Sequence, residues 1–286
     1  MISYGINTFT WTSPFRTADL PLLDKAKRLG YDLVEIPVEG EQDLDYARAA
    51  EAFKASGLGC SLCAVMGAGR DPAHEDESIQ RGGVDYLRHL VDAAVTVGAR
   101  LIAGPIYAAV GRTWQATPEQ RKRDLERCAK NLKEVARYAE DRGVTLAMEP
   151  LNRFETSFIN LAEQALELIR MVDSPRLRLM IDTFHANIEE KSLGKAIQTG
   201  GAYLVHVHAN ENDRGTPGSG HVPWKEIAKA LKAIKYRGAL VIESFTTTVK
   251  EIARAAAIWR PVASSQDELA REGLAFLKKQ IGRAHV

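Results

Sequence analysis

Short apolar segments alternate along this chain with longer segments of helical periodicity. Each apolar segment is five or six residues long and rich in aliphatic side chains, which is typical of parallel strands buried on both faces. They predict eight strands, namely Ile2–Asn7, Leu33–Pro37, Gly59–Ala64, Leu101–Pro105, Thr145–Glu149, Leu177–Asp182, Tyr203–His208 and Ala239–Glu243.

The intervening segments place apolar residues three and four positions apart, which predicts helices. The longest begins after Thr117, a residue type suited to an N-cap, with Pro118 at the first helical position. The predicted helices are Leu20–Leu29, Asp45–Ser56, Val84–Val97, Glu119–Asp141, Leu161–Val172, Leu193–Thr199, Trp224–Ile234 and Gln266–Ile281.

Strict alternation of strand and helix indicates a parallel sheet. Eight units ending in a helix favour a closed (β/α)8 barrel over an open doubly wound sheet, and no G-x-G-x-x-G follows the first strand. The 286 residues are close to the roughly 250 typical of such a barrel. No Pro/Ser-rich linker interrupts the chain, so we expect residues 1–286 to form a single domain.

Four predicted strands in the second half end in a carboxylate or an imidazole. The residues are Glu149, Asp182, His208 and Glu243, at intervals of 33, 26 and 35 residues. A parallel barrel brings the carboxyl ends of its strands to one face, so these side chains are expected to converge there. The alternative is that polar groups merely end these strands at the surface.

Strand parity tests the convergence, because side chains alternate between faces. In the fifth strand Glu149 shares a face with Ala147, and in the sixth Asp182 shares one with Met180. The seventh places His208 with His206 and Leu204, and the eighth places Glu243 with Val241 and Ala239. The opposite faces carry bulky aliphatic residues suited to packing against helices. The four candidates are therefore predicted to point into the barrel, at its carboxyl-terminal mouth.

Three carboxylates and one imidazole suit a divalent cation with mixed oxygen and nitrogen ligands better than a structural zinc. We expect one such ion, with Mn²⁺ preferred and Co²⁺ or Mg²⁺ as alternatives. His206, one layer below His208, is expected to support the site by hydrogen bonding rather than to act as a fifth ligand.

Loop residues on the same face could bind a polar substrate. His185 and Arg214 could contact substrate oxygens, and Glu155 follows the fifth strand by six residues. An arginine offers several donors in a fixed fork. The alternatives are a solvated loop charge for Arg214 and a residue near a helix dipole for Glu155.

Composition excludes several classes of protein. The net charge of +1 argues against a dedicated nucleic-acid binder. No apolar run is long enough for a transmembrane helix, and the N-terminus lacks the features of a signal peptide. We therefore expect a cytoplasmic location without membrane or nucleic-acid partners.

Two further motifs have ordinary interpretations. Cys60 and Cys63 form a C-x-x-C, but an offset of three on a strand separates them onto opposite faces. The glycines of GTPGSGH at 215–221 are expected to allow a sharp turn, because the segment lacks the form and the lysine of a phosphate loop.

The segments MEPLNRFE, IDTFHANIEE, HVHANENDRGTPGSGHVPW and VIESF resemble the ketose 3-epimerases. That group comprises D-tagatose, D-psicose (allulose) and L-ribulose 3-epimerases within the xylose isomerase-like barrels. The resemblance runs nearly end to end, from the opening YGINTFTWTSPF onward.

The resemblance implies the roles of several residues. Glu149, Asp182, His208 and Glu243 would bind the metal, and Glu149 and Glu243 would also be the catalytic acid and base. His185, Arg214 and Glu155 would bind the sugar near O1 and O2. Side chains from the first half would line the far end of the sugar, and the expected ones are Phe9, Trp11, Cys63 and Tyr107.

The implied reaction is inversion at C3 of a free 2-ketose. One glutamate would remove the C3 proton and the other would return one to the opposite face, while the cation stabilises the enediolate. The expected substrate is a small ketose, and the expected assembly is a homodimer or homotetramer.

The alternatives are other enzymes of the superfamily or a non-catalytic barrel. A hydroxypyruvate isomerase or a sugar-phosphate 3-epimerase would share the fold and the ligands. An endonuclease IV-like phosphodiesterase is more distant, because it would need more histidine ligands than the seven histidines here readily supply. A sugar-binding barrel without activity would be expected to lack a ligand glutamate, and none is missing.

Overall fold

The computed structural model describes residues 1–282 and forms a closed barrel of eight parallel strands in sequential order. The predicted (β/α)8 fold is confirmed. The last four residues of the predicted 1–286 domain lie outside the described residues. The strands are β1 Ser3–Asn7, β2 Leu33–Val38, β3 Gly59–Ala64, β4 Leu101–Gly104, β5 Thr145–Met148, β6 Leu177–Asp182, β7 Leu204–His208 and β8 Ala239–Ile242.

Helices surround the barrel on its outer side. The long helix after β4 begins where the sequence predicts, since Thr117 accepts a hydrogen bond from the backbone N–H of Gln120 at 3.2 Å. The helices are α1 Leu22–Leu29, α2 Tyr46–Ser56, α3 Glu77–Val97, α4 Pro118–Asp141, α5 Ala162–Val172, α6 Thr183–Glu189, α7 Leu193–Gly200, α8 Trp224–Ala233, α9 Lys250–Ala255 and α10 Gln266–Gln280.

The hydrophobic core has two parts. The larger part fills the space between the barrel and its helices and includes the outward residues of every strand. The smaller part lies inside the barrel, where Ala103, Ala147 and Met180 pack together with Leu101 and Val205. The polar groups from the ends of β5 to β8 lie on the carboxyl-terminal side of this inner cluster.

The parity prediction is correct for His206 and His208 but wrong for Leu204. A register irregularity between β6 and β7 pairs Leu179 with Leu204 and then Met180 with His206. This bulge adds one residue to β7, so Leu204 belongs to the outer core while Val205 packs against the inner cluster. A bulge changes the strand period locally, and the apolar sequence gives no sign of it.

Two helices of the structure were not expected from the sequence. The first, α6, begins directly after β6, where the Asp182 side chain accepts from the backbone N–H of Phe184 at 2.7 Å. His185, expected in a loop, therefore lies in the first turn of a helix. The second, α9, is a six-residue segment after β8. Among residues 1–282, no helix has the length and hydropathy needed to cross a membrane.

Candidate active site

Four buried side chains from the ends of β5 to β8 meet at the mouth of the barrel. Nδ1 of His208 lies 3.7 Å from Oε1 of Glu149, 3.9 Å from Oδ2 of Asp182 and 3.3 Å from Oε2 of Glu243. One ligand atom from each residue falls within 4.8 Å of the others. The predicted strand-end residues are therefore brought together as a cluster capable of holding a metal ion.

Unpartnered polar atoms show that this cluster fits a cation. His208 Nδ1 and Glu149 Oε1 are buried without a hydrogen-bond partner. An ion bound by each atom at roughly 2.1 Å limits any two of them to a separation of about 4.2 Å. The three distances from His208 Nδ1 satisfy this limit. Three carboxylates and a buried imidazole nitrogen without a hydrogen-bond partner form a ligand set that suits a divalent cation.

Arg214 lies beside this cluster and is fully enclosed. Its Nη1 donates to Asp182 Oδ2 at 2.6 Å and to Glu243 Oε2 at 3.1 Å. The guanidinium lies 4.1 Å from the ring centre of Phe184 and 4.7 Å from that of Phe245. These aromatic faces hold the planar group in one orientation. The interpretation of Arg214 as a solvated loop charge is wrong, because the side chain is only 4% exposed.

His185 and Glu155 extend the site away from the cluster. Nε2 of His185 lies 3.1 Å from Arg214 Nη2, and Nδ1 lies 2.8 Å from Asn152 Nδ2. Asn152 Nδ2 also donates to Glu155 Oε1 at 3.0 Å. Glu155 lies in the turn after β5 rather than in a helix. These three side chains, from the loop after β5 and from α6, therefore form one polar wall next to Arg214.

The charges of this site change the proton affinity of its members. Burial raises the pKa of Glu149 well above its usual range, and the charges of Asp182 and Glu243 add to that rise. Burial alone would also raise the pKa of Asp182, but Arg214 and His185 outweigh it and hold the value below the usual one. Glu149 and Asp182 therefore differ in proton affinity, although they lie in the same site.

A groove of about 460 Å³ opens beside this wall. Its lining includes Glu155 and Asn152 together with the exposed aromatic rings of Phe154 and Trp259. Among the described residues that line the groove, Arg260 is the one with a positive charge, and it is paired with Asp213 at 3.1 Å. The described lining of the groove therefore combines apolar surface with a net negative charge, because Glu155 and Asp213 outnumber Arg260.

Comparison with known proteins identifies the architecture. Residues 23–280 match the family model described as xylose isomerase-like TIM barrel. A probable ketose 3-epimerase of Synechocystis sp. is 34% identical over 97% of this chain and 96% of its own length. The chain belongs to the ketose 3-epimerase family. Membership makes it an enzyme of the epimerase class.

Solved structures of family members superimpose along nearly the whole chain. An L-ribulose 3-epimerase matches with a TM-score of 0.93 and 31% identity, covering 98% of this chain and 95% of the other. A D-allulose 3-epimerase from Methylomonas sp. in complex with D-allulose matches with a TM-score of 0.91 and 29% identity, covering 98% and 97%. The resemblance inferred from the four motifs is confirmed at the level of the family.

The first half of the chain contributes an aromatic ring and a thiol to the mouth of the barrel. Phe9 packs edge-to-face against Phe245, with ring centres 5.7 Å apart, and so reaches the aromatic pair around Arg214. Cys63 is buried near the cluster, and burial together with the charge of Glu35 raises the pKa of its thiol well above the usual value. The predicted contacts of Phe9 and Cys63 with a substrate stay predictions.

Tyr107 and Trp11 have other partners. The Tyr107 hydroxyl donates to the Ile159 carbonyl at 3.0 Å and accepts from the Leu151 N–H at 3.3 Å, which fixes the loop after β5. Trp11 Nε1 donates to Asp267 at 3.1 Å, on the first turn of α10. Their contacts with substrate stay predictions, since each polar group already has a protein partner.

Sequence reasoning missed Glu35, a fully buried carboxylate in β2. It accepts from Nε2 of His208 at 2.6 Å, from Ser61 Oγ at 2.8 Å and from Asn7 Nδ2 at 3.1 Å. Burial alone would raise the pKa of Glu35, but His208 and His206 hold it below its usual range. A charged residue inside the apolar run LVEIPV was the signal available in the sequence.

Asn210 was also missed. Its Nδ2 donates to Asp182 Oδ2 at 2.9 Å, and its Oδ1 accepts from the backbone N–H of Glu243 at 2.8 Å. It thereby joins the ends of β6 and β8 across β7. The motifs HAN and HANEND contain three asparagines, Asn187, Asn210 and Asn212, and the sequence offers no means of choosing among them.

Proposed function

We propose that this protein is a divalent metal-dependent epimerase that inverts C3 of free 2-ketoses of the D-tagatose, D-fructose/D-allulose and L-ribulose class. The observation that carries this proposal is the set of three carboxylates around the unpartnered Nδ1 of His208. The family relatives named ketose 3-epimerase and L-ribulose 3-epimerase support it. The D-allulose bound to the Methylomonas relative supports the substrate class.

The metal ligands we propose are Glu149, Asp182, His208 and Glu243, with Mn²⁺ as the first choice and Co²⁺ or Mg²⁺ as alternatives. A bound divalent cation would supply positive charge where negative charge develops on the sugar oxygens. Asp182, whose pKa is held below its usual range, suits a ligand that stays ionised. His208 offers Nδ1, because its Nε2 is already bonded to Glu35.

Glu149 and Glu243 are proposed to move the protons. One carboxylate removes the C3 proton, the electrons of the C–H bond form a C2–C3 double bond, and the C2 carbonyl oxygen becomes negatively charged. The other, protonated carboxyl group then returns a proton to the opposite face of C3, and the carbonyl is restored. The two residues come from β5 and β8, separated by two strands in the barrel order. The raised pKa of Glu149 suits a group that must hold a proton during the cycle.

Arg214, His185 and Glu155 are proposed to bind the sugar around O1 and O2. Arg214 is held between two aromatic rings, so its donors are fixed before substrate arrives. His185 connects Arg214 with Asn152 and hence with Glu155. The groove beside them favours an uncharged sugar over a phosphate, because Arg260, the one cation among its described lining residues, is paired with Asp213.

The test is turnover on a panel of free and phosphorylated ketoses in the presence of Mn²⁺. D-Fructose, D-tagatose and L-ribulose should be epimerised, and hydroxypyruvate and ketose phosphates should react at least about 100-fold more slowly. A chelator should abolish turnover, and added Mn²⁺ or Co²⁺ should restore it. Turnover confined to phosphorylated sugars or to hydroxypyruvate would overturn the proposed substrate class.

We further propose that residues 1–286 form one domain and that the protein assembles as a homodimer or homotetramer. Phe154 and Trp259 are 75% and 76% exposed at the groove, and exposed aromatic surface of this kind commonly marks a contact between proteins. Light scattering of the purified protein should give a mass of two or four chains. A monomeric mass would contradict the proposed assembly. A cytoplasmic location stays a prediction.

A further inference from the structure

Glu35 is a carboxylate enclosed by hydrogen-bond donors, one layer beneath the four proposed ligands. It is 0% exposed on β2, and its register partners are Asn7 on β1 and Ser61 on β3. Side chains of both partners donate to it, at 3.1 Å and 2.8 Å. An isolated buried carboxylate is strongly unfavourable, so its donors are required for it to remain ionised.

The shortest of its contacts is with a proposed metal ligand. Oε1 of Glu35 lies 2.6 Å from Nε2 of His208. Oε2 of Glu35 lies 2.9 Å from Nε2 of His206, but these two atoms are not aligned for a hydrogen bond. A carboxylate only accepts, so the hydrogen in the His208 contact belongs to Nε2. In the neutral imidazole Nδ1 then carries a lone pair, and Nδ1 is the atom that faces the three carboxylates.

We infer that Glu35 is a positioning residue of the metal centre, which fixes the ring and tautomer of His208 so that Nδ1 is the ligand atom. The inference rests on the proposed function, since it assumes that the cluster holds a metal ion. A carboxylate behind a ligand histidine also increases the electron density on the opposite nitrogen, which strengthens metal binding.

Asn7 extends this support to a second ligand. The backbone N–H of Phe9 donates to Asn7 Oδ1 at 3.0 Å. This contact fixes which end of the Asn7 amide is the oxygen, so Nδ2 is the end that faces the barrel interior. Nδ2 then donates to Glu35 Oε1 at 3.1 Å and to Glu243 Oε1 at 3.4 Å. The other oxygen of Glu243, Oε2, is the one that faces His208 Nδ1. Glu35 and Asn7 together therefore orient the ligands from β7 and β8.

The competing explanation is that Glu35 only stabilises the interior of the barrel. Loss of its hydrogen bonds would then lower stability and leave metal affinity unchanged. Glu211 allows the two roles to be separated, because it is a second carboxylate that is 0% exposed. It accepts from the N–H groups of Gly218, Val222 and the Trp224 indole, and it is not hydrogen-bonded to any of the four ligands.

The experiment measures Mn²⁺ affinity by electron paramagnetic resonance, with thermal unfolding of each protein in parallel. Glu35→Gln places an amide NH₂ among donors and removes the charge behind His208, so the Mn²⁺ dissociation constant should rise about 10- to 100-fold. The control Glu211→Gln should lower the unfolding temperature and leave that constant within about 2-fold of wild type. Unchanged affinity in folded Glu35→Gln, or an equal loss in the control, would overturn the inference.

A measurement on the wild-type protein keeps the inference testable if Glu35→Gln does not fold. Nitrogen NMR of ¹⁵N-histidine-labelled protein loaded with diamagnetic Mg²⁺ should show the His208 proton on Nε2, with assignment from a His206→Gln sample. A proton on Nδ1 would overturn the positioning role. Wild-type protein that binds no divalent cation would instead remove the proposed metal centre, which distinguishes failure of the proposed function from failure of this inference.

Discussion

The two halves of the barrel contribute in different ways to the same site. Strands β5 to β8 each end in a charged or imidazole side chain, and these four groups form the candidate metal cluster. Strands β1 to β3 instead contribute Asn7, Glu35 and Ser61, which form hydrogen bonds one layer below. The first half also supplies the apolar ring of Phe9 at the mouth.

This difference indicates a division between reacting groups and groups that support them. The residues proposed to bind a cation or move a proton come from one side of the barrel, where Arg214 and His185, the proposed sugar-binding residues, also lie. Residues that fix orientations come from the other side, and they reach the centre through His208 and Glu243. Substitutions in the two halves should therefore affect different measured quantities.

The largest expected effect is on proton transfer in the second half. Glu149→Gln and Glu243→Gln should each lower exchange of the C3 proton with solvent by about 10²- to 10⁴-fold, because an amide cannot accept and return that proton. Exchange is measured by NMR of a ketose in D₂O. Glu167→Gln on the exposed side of α5 is the control and should keep normal exchange. Near-native exchange in either active-site variant would rule out a pair of catalytic glutamates.

The next effect is on stability and comes from the first half. Arg112, after β4, is buried between Asp71 and Asp124. Arg112→Met should lower the free energy of unfolding by about 3–5 kcal/mol, because it leaves buried carboxylates without their partner. Denaturant unfolding measures the change. Arg81→Met, which removes an exposed pair with Glu134 at 2.9 Å, should cost only about 0–1 kcal/mol. Equal losses in the two variants would show that burial of the pair is unimportant.

A smaller effect is expected for substrate binding. Arg214→Lys keeps the positive charge but loses the planar fork that contacts two carboxylates and lies between Phe184 and Phe245. It should lower kcat/KM by about 10- to 100-fold, which corresponds to about 1.4–2.8 kcal/mol. Steady-state kinetics at saturating Mn²⁺ provide the measurement. Retention of wild-type kcat/KM would mean that charge alone, without the fork, is sufficient.

The smallest effect is expected at Trp11, which distinguishes it from Phe9. Trp11→Phe removes the hydrogen bond to Asp267 and should destabilise the protein by about 0.5–1.5 kcal/mol with less than about 3-fold change in kcat/KM. Phe9→Leu removes a ring in contact with Phe245 and should alter the preference among ketoses by about 10-fold. If Trp11→Phe changed the preference more than Phe9→Leu, the assignment of the two residues would be reversed.

The second half of the site could be predicted because each candidate ligand ends an apolar strand. Period-two alternation then places Glu149, Asp182 and Glu243 on the inward face, and the structure brings them together. The helix start at Thr117 was predictable for a similar reason, since a cap and a following proline act within one turn. His185 was predicted to lie in a loop, because its helix is only seven residues long and begins at Thr183, directly after the strand-end Asp182.

The supporting half could not be predicted in the same way. Glu35 is separated from His208 by 173 residues, and its role depends on three hydrogen-bond donors from three other strands. Leu204 was placed on the wrong face because a bulge in β7 depends on pairing with β6. The enclosure of Arg214 by Phe184 and Phe245 likewise arises from two separate strand ends.

The sequence by itself determined the barrel and the four residues at the strand ends, because strand periodicity and the order of units are local properties of the chain. The family was indicated separately, by the resemblance of its motifs to the ketose 3-epimerases. The tertiary structure decided which nitrogen of His208 faces the cluster, which arginine is enclosed and which buried carboxylate supports the centre. Those outcomes depend on distances between strands that are far apart in sequence, and such distances exist only after the barrel closes.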